Sequence, residues 1–195
     1  MNSALIVDSD PDHGAIALRS IEELCQTLTA EFTRDERGPR AADLVSQYTR
    51  DNDDWQRFAF FSDEHYTRNL VDTSELFELM VVCWSPEQES PIHNHAGSNC
   101  WMGVLEGHVE EVHFDPPHEG KPPVQRHART YQRGQVAFIR DEIALHQVRT
   151  SPGKRAATLH LYAGPITECN CYCSETGKIT RRELAYTTVR GEAPA

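Results

Sequence analysis

The sequence has no apolar run approaching the roughly 20 residues that a membrane-spanning helix requires. It is also short of positive charge, with 19 Lys and Arg against 30 Asp and Glu and a formal net charge of −11. The first lack argues against a helical membrane span. The second argues against nucleic-acid or lipid partners, because a net acidic surface repels phosphate. The stretch from Met1 to Ile21 lacks a basic segment followed by an apolar core, and it carries Asp8, Asp10 and Asp12. It does not read as a secretory signal. These absences lead to the expectation of a soluble cytoplasmic protein with no nucleic-acid or membrane partner.

The six cysteines suit that compartment. Cys25 falls in a helical pattern and Cys83 in a strand pattern, where a buried thiol behaves as a small hydrophobe. Cys169, Cys171 and Cys173 alternate with other residues, so on a strand they share one face. A zinc site built on them is a weak reading, since structural zinc sites usually separate cysteines by two to four residues. A disulfide framework does not suit a reducing cytosol.

At 195 residues the length fits one domain with a sizeable core. Residues 1–60 read as a helical segment. Ile16, Leu18, Ile21, Leu24, Cys25, Leu28 and Phe32 recur at helical spacing, with Glu22 and Glu23 opposite. Gly38-Pro39 interrupts the pattern, and Ala42, Leu44, Val45 and Tyr48 predict a second short helix. From Tyr66 the pattern changes to short β runs. Glu75 to Trp84 is one; Val104-Leu105 and Val109 to Phe114 predict a pair across Glu106-Gly107-His108; further runs cover 136–139 and 156–162. Many short strands between turn signals predict an all-β sandwich or barrel over residues 61–190, with the helices packed on it. Residues 115–123 read as a surface loop and 191–195 as a frayed end.

The most informative stretch is His93-Asn94-His95, followed by Cys100 and Gly107. On a strand, residues i and i+2 point to the same side, so both imidazoles can reach one metal ion from one rigid element. A third neutral donor is needed. His146 is the best candidate, about a dozen residues after Gly134. His160 competes, but its i, i+2 relation to Tyr162 favours a role beside that tyrosine. The other histidines, His13, His65, His108, His113, His118 and His127, sit in polar surroundings and read as solvated.

The layout around His93 and His95 resembles the first metal-binding motif of cupin barrels, except that Cys100 follows where a glutamate ligand usually stands. The spacing of His146 is near that of the second motif, with Arg140 and Glu142 where proline and glycine are common. Taken together, Tyr66 to Asp72, Cys83-Trp84, His93-Asn94-His95 with Ser98 and Cys100, Leu145-His146 and Leu159 to Tyr162 resemble the cysteine dioxygenases, the Arg-type thiol dioxygenases of the cupin superfamily. The resemblance spans most of residues 66–178. Asn99 departs from it, since animal relatives tend to carry histidine there, and the Cys171–Cys173 pair is no requirement of the family.

The resemblance implies a mainly β fold, a jelly-roll cupin barrel with N-terminal helices. It implies Fe(II) held by His93, His95 and His146, and addition of both atoms of O2 to the sulfur of L-cysteine, giving cysteine sulfinic acid. Three neutral imidazoles leave the site with the full metal charge, which favours an anionic thiolate. Arg68 offers a planar donor fork for the substrate carboxylate, and Tyr66 helps to position it. Cys100 and Tyr162 correspond to a pair that becomes joined by a thioether, fixing the phenol near the metal; an unlinked buried pair is the plainer reading. His160 is expected to hydrogen-bond Tyr162, Trp84 to wall the pocket or simply fill the core, and Cys169 to lie near its mouth. The expected partners are L-cysteine and O2, and the expected state a monomer. The alternatives are a 3-mercaptopropionate or other thiol dioxygenase and a non-catalytic metal-binding cupin. Arg68 argues against the first, because that branch typically carries glutamine there.

Overall fold

A computed structural model of the chain describes residues 17–118 and 121–193; His13 and Ile16 lie outside the described residues. The first helix, α1 (Ile21–Arg34), begins later than the hydrophobic spacing suggests. Ser20 is its N-cap, with a side-chain oxygen that accepts from the Glu23 N–H at 3.3 Å, so Leu18 packs from the lead-in segment rather than from the helix. Ile21, Leu24, Leu28 and Phe32 form its buried stripe. The second helix, α2 (Ala41–Asp51), buries Ala41, Leu44, Val45 and Tyr48. A 3-10 turn at Asp54–Phe58 follows. The Asp54 carboxylate accepts from the Ile21 N–H and from the Tyr48 hydroxyl, each at 2.8 Å, and so ties three segments together. Among the described residues, no helix is long and apolar enough to cross a membrane.

The strands are β1 (Thr67–Thr73), β2 (Phe77–Trp84), β3 (Ile92–His93), β4 (Cys100–Glu106), β5 (His108–Asp115), β6 (Val124–Gln132), β7 (Val136–Ile139), β8 (Leu145–Thr150), β9 (Ala156–Ala163), β10 (Glu168–Tyr172), β11 (Ile179–Glu183) and β12 (Thr188–Val189). They form two six-stranded sheets, ordered β12-β1-β2-β9-β4-β7 and β11-β10-β3-β8-β5-β6. This is the cupin barrel flanked by helices. The predicted pairing of Val104-Leu105 with Val109–Phe114 does not form: β4 pairs with β7 and β9, whereas β5 pairs with β6 and β8. Gly107 is the reason. It sits at φ 72°, where a Cβ would lie 2.5 Å from the Arg155 carbonyl oxygen, and the chain turns there from one sheet into the other. Of the stretch expected to fray, Glu192 instead bridges back to Val189, and residues 194–195 lie outside the described residues.

Strand β2 is buried along its whole length, because both of its faces are covered. Phe77, Leu79, Val81 and Cys83 pack with α1 and α2 in one apolar cluster, and Leu159, Leu161, Trp101 and Leu105 join them. The alternate residues Met80, Val82 and Trp84 face a second cluster inside the barrel with Cys100, Met102 and Tyr162. Alternation therefore turns Glu78, Cys100, His160 and Tyr162 inward from neighbouring strands. Gly103 lets α2 lie close: a Cβ there would stand 2.6 Å from Val45 Cγ1 and 2.9 Å from Thr49 Cγ2.

Candidate metal centre and pocket

His93 ends β3 and His146 lies opposite it in register on β8. His95 follows two residues later, and the ligand nitrogens of the three imidazoles all lie within 4.8 Å of one another. His160 is not one of the three. One element of the expectation changes: β3 covers only Ile92–His93, so His95 is not carried on the strand. The Asp141 carboxylate holds it instead, accepting from the His95 N–H at 2.7 Å and the Gly97 N–H at 2.9 Å.

The hydrogen bonds point ring nitrogens at the centre. Nδ1 of His93 donates to the Pro91 carbonyl at 2.9 Å, and Nδ1 of His146 donates to the Glu111 carboxylate at 2.8 Å. Each ring then keeps its lone pair on Nε2, and these two atoms face each other at 3.3 Å. His95 is 1% exposed, and neither of its ring nitrogens has a hydrogen-bond partner. Burial pushes His93 down to about 3 and His95 well below the ordinary imidazole range, with the neighbouring imidazoles adding to the effect. Opposed lone pairs and unsatisfied buried nitrogens are costly on their own and suit a shared cation. The donor set fits a non-haem metal ion, and it contains no carboxylate.

Glu111 was not singled out by the sequence. Its side chain is buried between His146 and His113, with Oε2 3.2 Å from His113 Nε2. Burial opposes its ionisation, but the imidazoles of His113 and His146 override this and hold the carboxyl down at about 2. His113 itself is buried, contrary to the expectation of a solvated residue. The two-residue spacing from Glu111 places it on the same face of β5, in register with His146. His65, His108 and His127 are exposed as expected.

A pocket opens beside the imidazoles, lined among others by Tyr66, Arg68, Trp84, His93, His160 and Tyr162. Arg68 is 11% exposed, and its Nη2 lies 3.4 Å from the Glu78 carboxylate. Its Nη1 is buried and has no partner. Glu78 is fully buried, accepts from the Tyr186 hydroxyl at 2.9 Å and braces the guanidinium from behind. Burial pushes its carboxyl above the usual range, while Tyr186 and Arg68 counter that. Tyr66 stacks on Trp84 with ring centroids 4.8 Å apart, and Trp84 Nε1 donates to Thr158 Oγ1 at 2.9 Å.

Cys100 and Tyr162 are register partners on β4 and β9. Burial pushes both groups up. The expected bond between His160 and Tyr162 is absent from this arrangement. Their ring centroids lie 6.3 Å apart with the planes inclined at 28°, and His160 Nε2 pairs with Thr158 Oγ1 at 2.9 Å. All three residues share the inner face of β9, and the threonine simply lies within reach of the imidazole. Cys169 lines the pocket as expected.

Imidazoles converging inside a two-sheet β-barrel, beside a cavity lined by the guanidiniums of Arg68 and Arg182, define a cupin with a three-histidine group suited to a non-haem metal ion. Within that class the chain belongs to the cysteine dioxygenase type I family, whose model matches residues 14–175. It is 33% identical to cysteine dioxygenase type 1 of Danio rerio over 180 residues, covering 89% of each chain. It is 34% identical to the Rattus norvegicus protein and 33% identical to the Homo sapiens protein of the same name, each over 163 residues and 82% of each chain.

Proposed function

We propose that this chain is an Fe(II)-dependent L-cysteine dioxygenase of the cytoplasm, adding both atoms of O2 to the substrate sulfur to give cysteine sulfinic acid. The observation that carries the reading is the unpartnered Nη1 of Arg68, buried on the same cavity as His93. A buried cationic donor without a partner calls for an anion, and a carboxylate is the anion an amino-acid thiol brings. His93, His95 and His146 are the metal ligands. Fe(II) bound there supplies a Lewis acid for the thiolate and an electron source for O2.

The remaining work falls to the protein. Arg68 binds the carboxylate through the face not engaged by Glu78, which fixes the direction of the substrate's sulfur end. Tyr66 and Trp84 wall the pocket and exclude water. Tyr162 keeps its phenolic proton, because burial and the adjacent Cys100 disfavour the anion, and so it offers an O–H donor to charge developing nearby. His160 and Thr158 hold the floor beneath it.

Oxygen uptake by the iron-loaded protein with L-cysteine, 3-mercaptopropionate and cysteamine tests the reading. L-cysteine is the expected substrate, with cysteamine poor because it has no carboxylate. Preference for the amine-free acid would move the assignment to the 3-mercaptopropionate branch, and no uptake with any thiol would leave a binding protein.

A further inference from the structure

Outside the metal centre, a cysteine pair stands at the pocket rim. Cys169 and Cys171 lie two residues apart on β10, share one face, and place their sulfurs 3.9 Å from each other. Cys169 is buried and lines the pocket. Cys171 is half-buried and is the register partner of His93 on β3. Cys173 follows beyond the strand and is exposed. All three are free thiols, and the reaction proposed above uses neither Cys171 nor Cys173.

We propose that Cys169 and Cys171 form a reversible dithiol–disulfide site at the pocket rim, oxidised by low-molecular-weight disulfides. The Cys171 thiolate attacks one sulfur of the incoming RS–SR, expels RS⁻ and becomes Cys171–S–S–R. Cys169 then gives its proton to solvent, attacks Sγ of Cys171 and expels the second RS⁻. Two protein thiols lose two electrons, and the external disulfide becomes two thiols. Exposure sets this order. Burial, with the neighbouring Cys171 adding to it, pushes the Cys169 thiol up to about 12, so the more accessible sulfur reacts first. Arg68 and Arg182, which act on Cys169 as nearby positive charges, favour disulfides that carry carboxylates.

The geometry also makes the bond labile. Two residues of extended strand advance about 6.6–6.8 Å, the upper edge of the Cα separations that disulfides span. Closing the sulfurs from 3.9 Å to roughly 2.05 Å therefore draws in β10 where it pairs with β3. A strained bond of this kind is easily reduced. Two molecules of a thiol substrate reopen it by the reverse exchanges and leave as their own disulfide, so the oxidised protein resets itself when substrate is plentiful.

The test is chemical first. The iron-loaded protein is exposed to oxidised glutathione, its remaining free thiols are blocked with iodoacetamide, and a phosphine then releases newly reduced thiols for maleimide labelling and peptide mapping. Labels on Cys169 and Cys171 together, without a glutathione adduct beforehand, are expected for the native chain and for Cys173→Ser. Cys171→Ser should give no such pair. Adducts alone, with no paired label, would overturn the proposal. Phosphine reversal separates this bond from any thioether at Cys100, so the result does not depend on the proposed function. The kinetic consequence does rest on that function: the oxidised protein should show a lag in oxygen uptake that shortens as cysteine rises and vanishes after phosphine treatment. Equal progress curves for oxidised and phosphine-treated protein, with the paired label present, would overturn the coupling to the pocket.

Discussion

Cys100 and Tyr162 stand directly opposite each other on adjacent antiparallel strands, both facing into the barrel. Cross-strand partners have Cβ atoms about 4.5–5.5 Å apart, so a sulfur and an ortho ring carbon can meet without any movement of the backbone. Loss of one hydrogen from each partner to O2, the co-substrate of the proposed reaction, would leave a thioether and hydrogen peroxide. The purified protein is expected to migrate as two bands on denaturing gels, the faster one cross-linked. Cys100→Ser should remove the faster band and retain reduced turnover. Persistence of two bands in that variant would place the cross-link elsewhere.

Arg68→Ala removes the guanidinium that reaches the cavity from β1 and leaves that of Arg182 in place. Its metal ligands are untouched, so metal content should stay at the native level. The substrate carboxylate loses a charge-assisted hydrogen bond, worth about 1.5–3 kcal/mol, or roughly a 10- to 150-fold rise in Kd by the usual factor of ten per 1.4 kcal/mol. Calorimetric titration of the anaerobic protein with cysteine measures this directly. Unchanged affinity would mean that Arg68 faces Glu78 alone.

Some of this was legible in the sequence and some was not, for physical reasons. The three imidazoles could be found because His-x-His is a local signal and His146 keeps its distance from Gly134. The strand read at Glu75 to Trp84 was legible because Leu79 to Trp84 is a continuous apolar run; it forms over Phe77–Trp84. Which strands pair was not legible: hydrophobic pattern reports burial, not neighbours, and only the left-handed turn at Gly107 sends β5 into the other sheet. Glu78, Glu111 and Asp141 were missed because a chain with 30 acidic residues gives a buried carboxylate no mark that distinguishes it from a solvated one. His113 was misread as solvated for the converse reason. Its immediate neighbours Val112 and Phe114 are apolar, but Glu110, Glu111 and Asp115 give the segment an acidic look, and strand parity turns His113 inward with Glu111.

Glu111 carries a prediction of its own. Its carboxylate receives the Nδ1–H of His146 and thereby fixes which nitrogen faces the metal. Partners of this kind orient a ligand and raise its basicity, and their loss typically costs 10- to 100-fold in metal affinity. Glu111→Gln preserves shape but presents a weaker acceptor, so competition with a chelator should show Fe(II) affinity reduced by about that range. Retention of native affinity would mean that the His146 ring is set by packing alone.

The same buried imidazoles make the metal-free protein sensitive to acid. His93 and His160 titrate near 3 in the folded state, and His95 well below its ordinary range, in each case mainly because burial disfavours the cation. In the unfolded chain all three take protons near 6.5. Folded values lie below unfolded ones, so the unfolded state binds more protons in the interval between them. The stability these groups preserve is fully present above pH 6.5 and falls as pH drops toward 3, where the folded protein also begins to protonate. Each group contributes a slope of about 1.4 kcal/mol per pH unit within that window. Glu111, held at about 2, adds a loss in the same direction once pH passes below its unfolded value. Urea unfolding of chelator-treated protein between pH 7 and 4 should therefore show midpoints that fall steeply, and His160→Gln should make the fall shallower by removing one titration. A flat profile between pH 6.5 and 5 would show that water reaches these rings and that the site is open rather than dry.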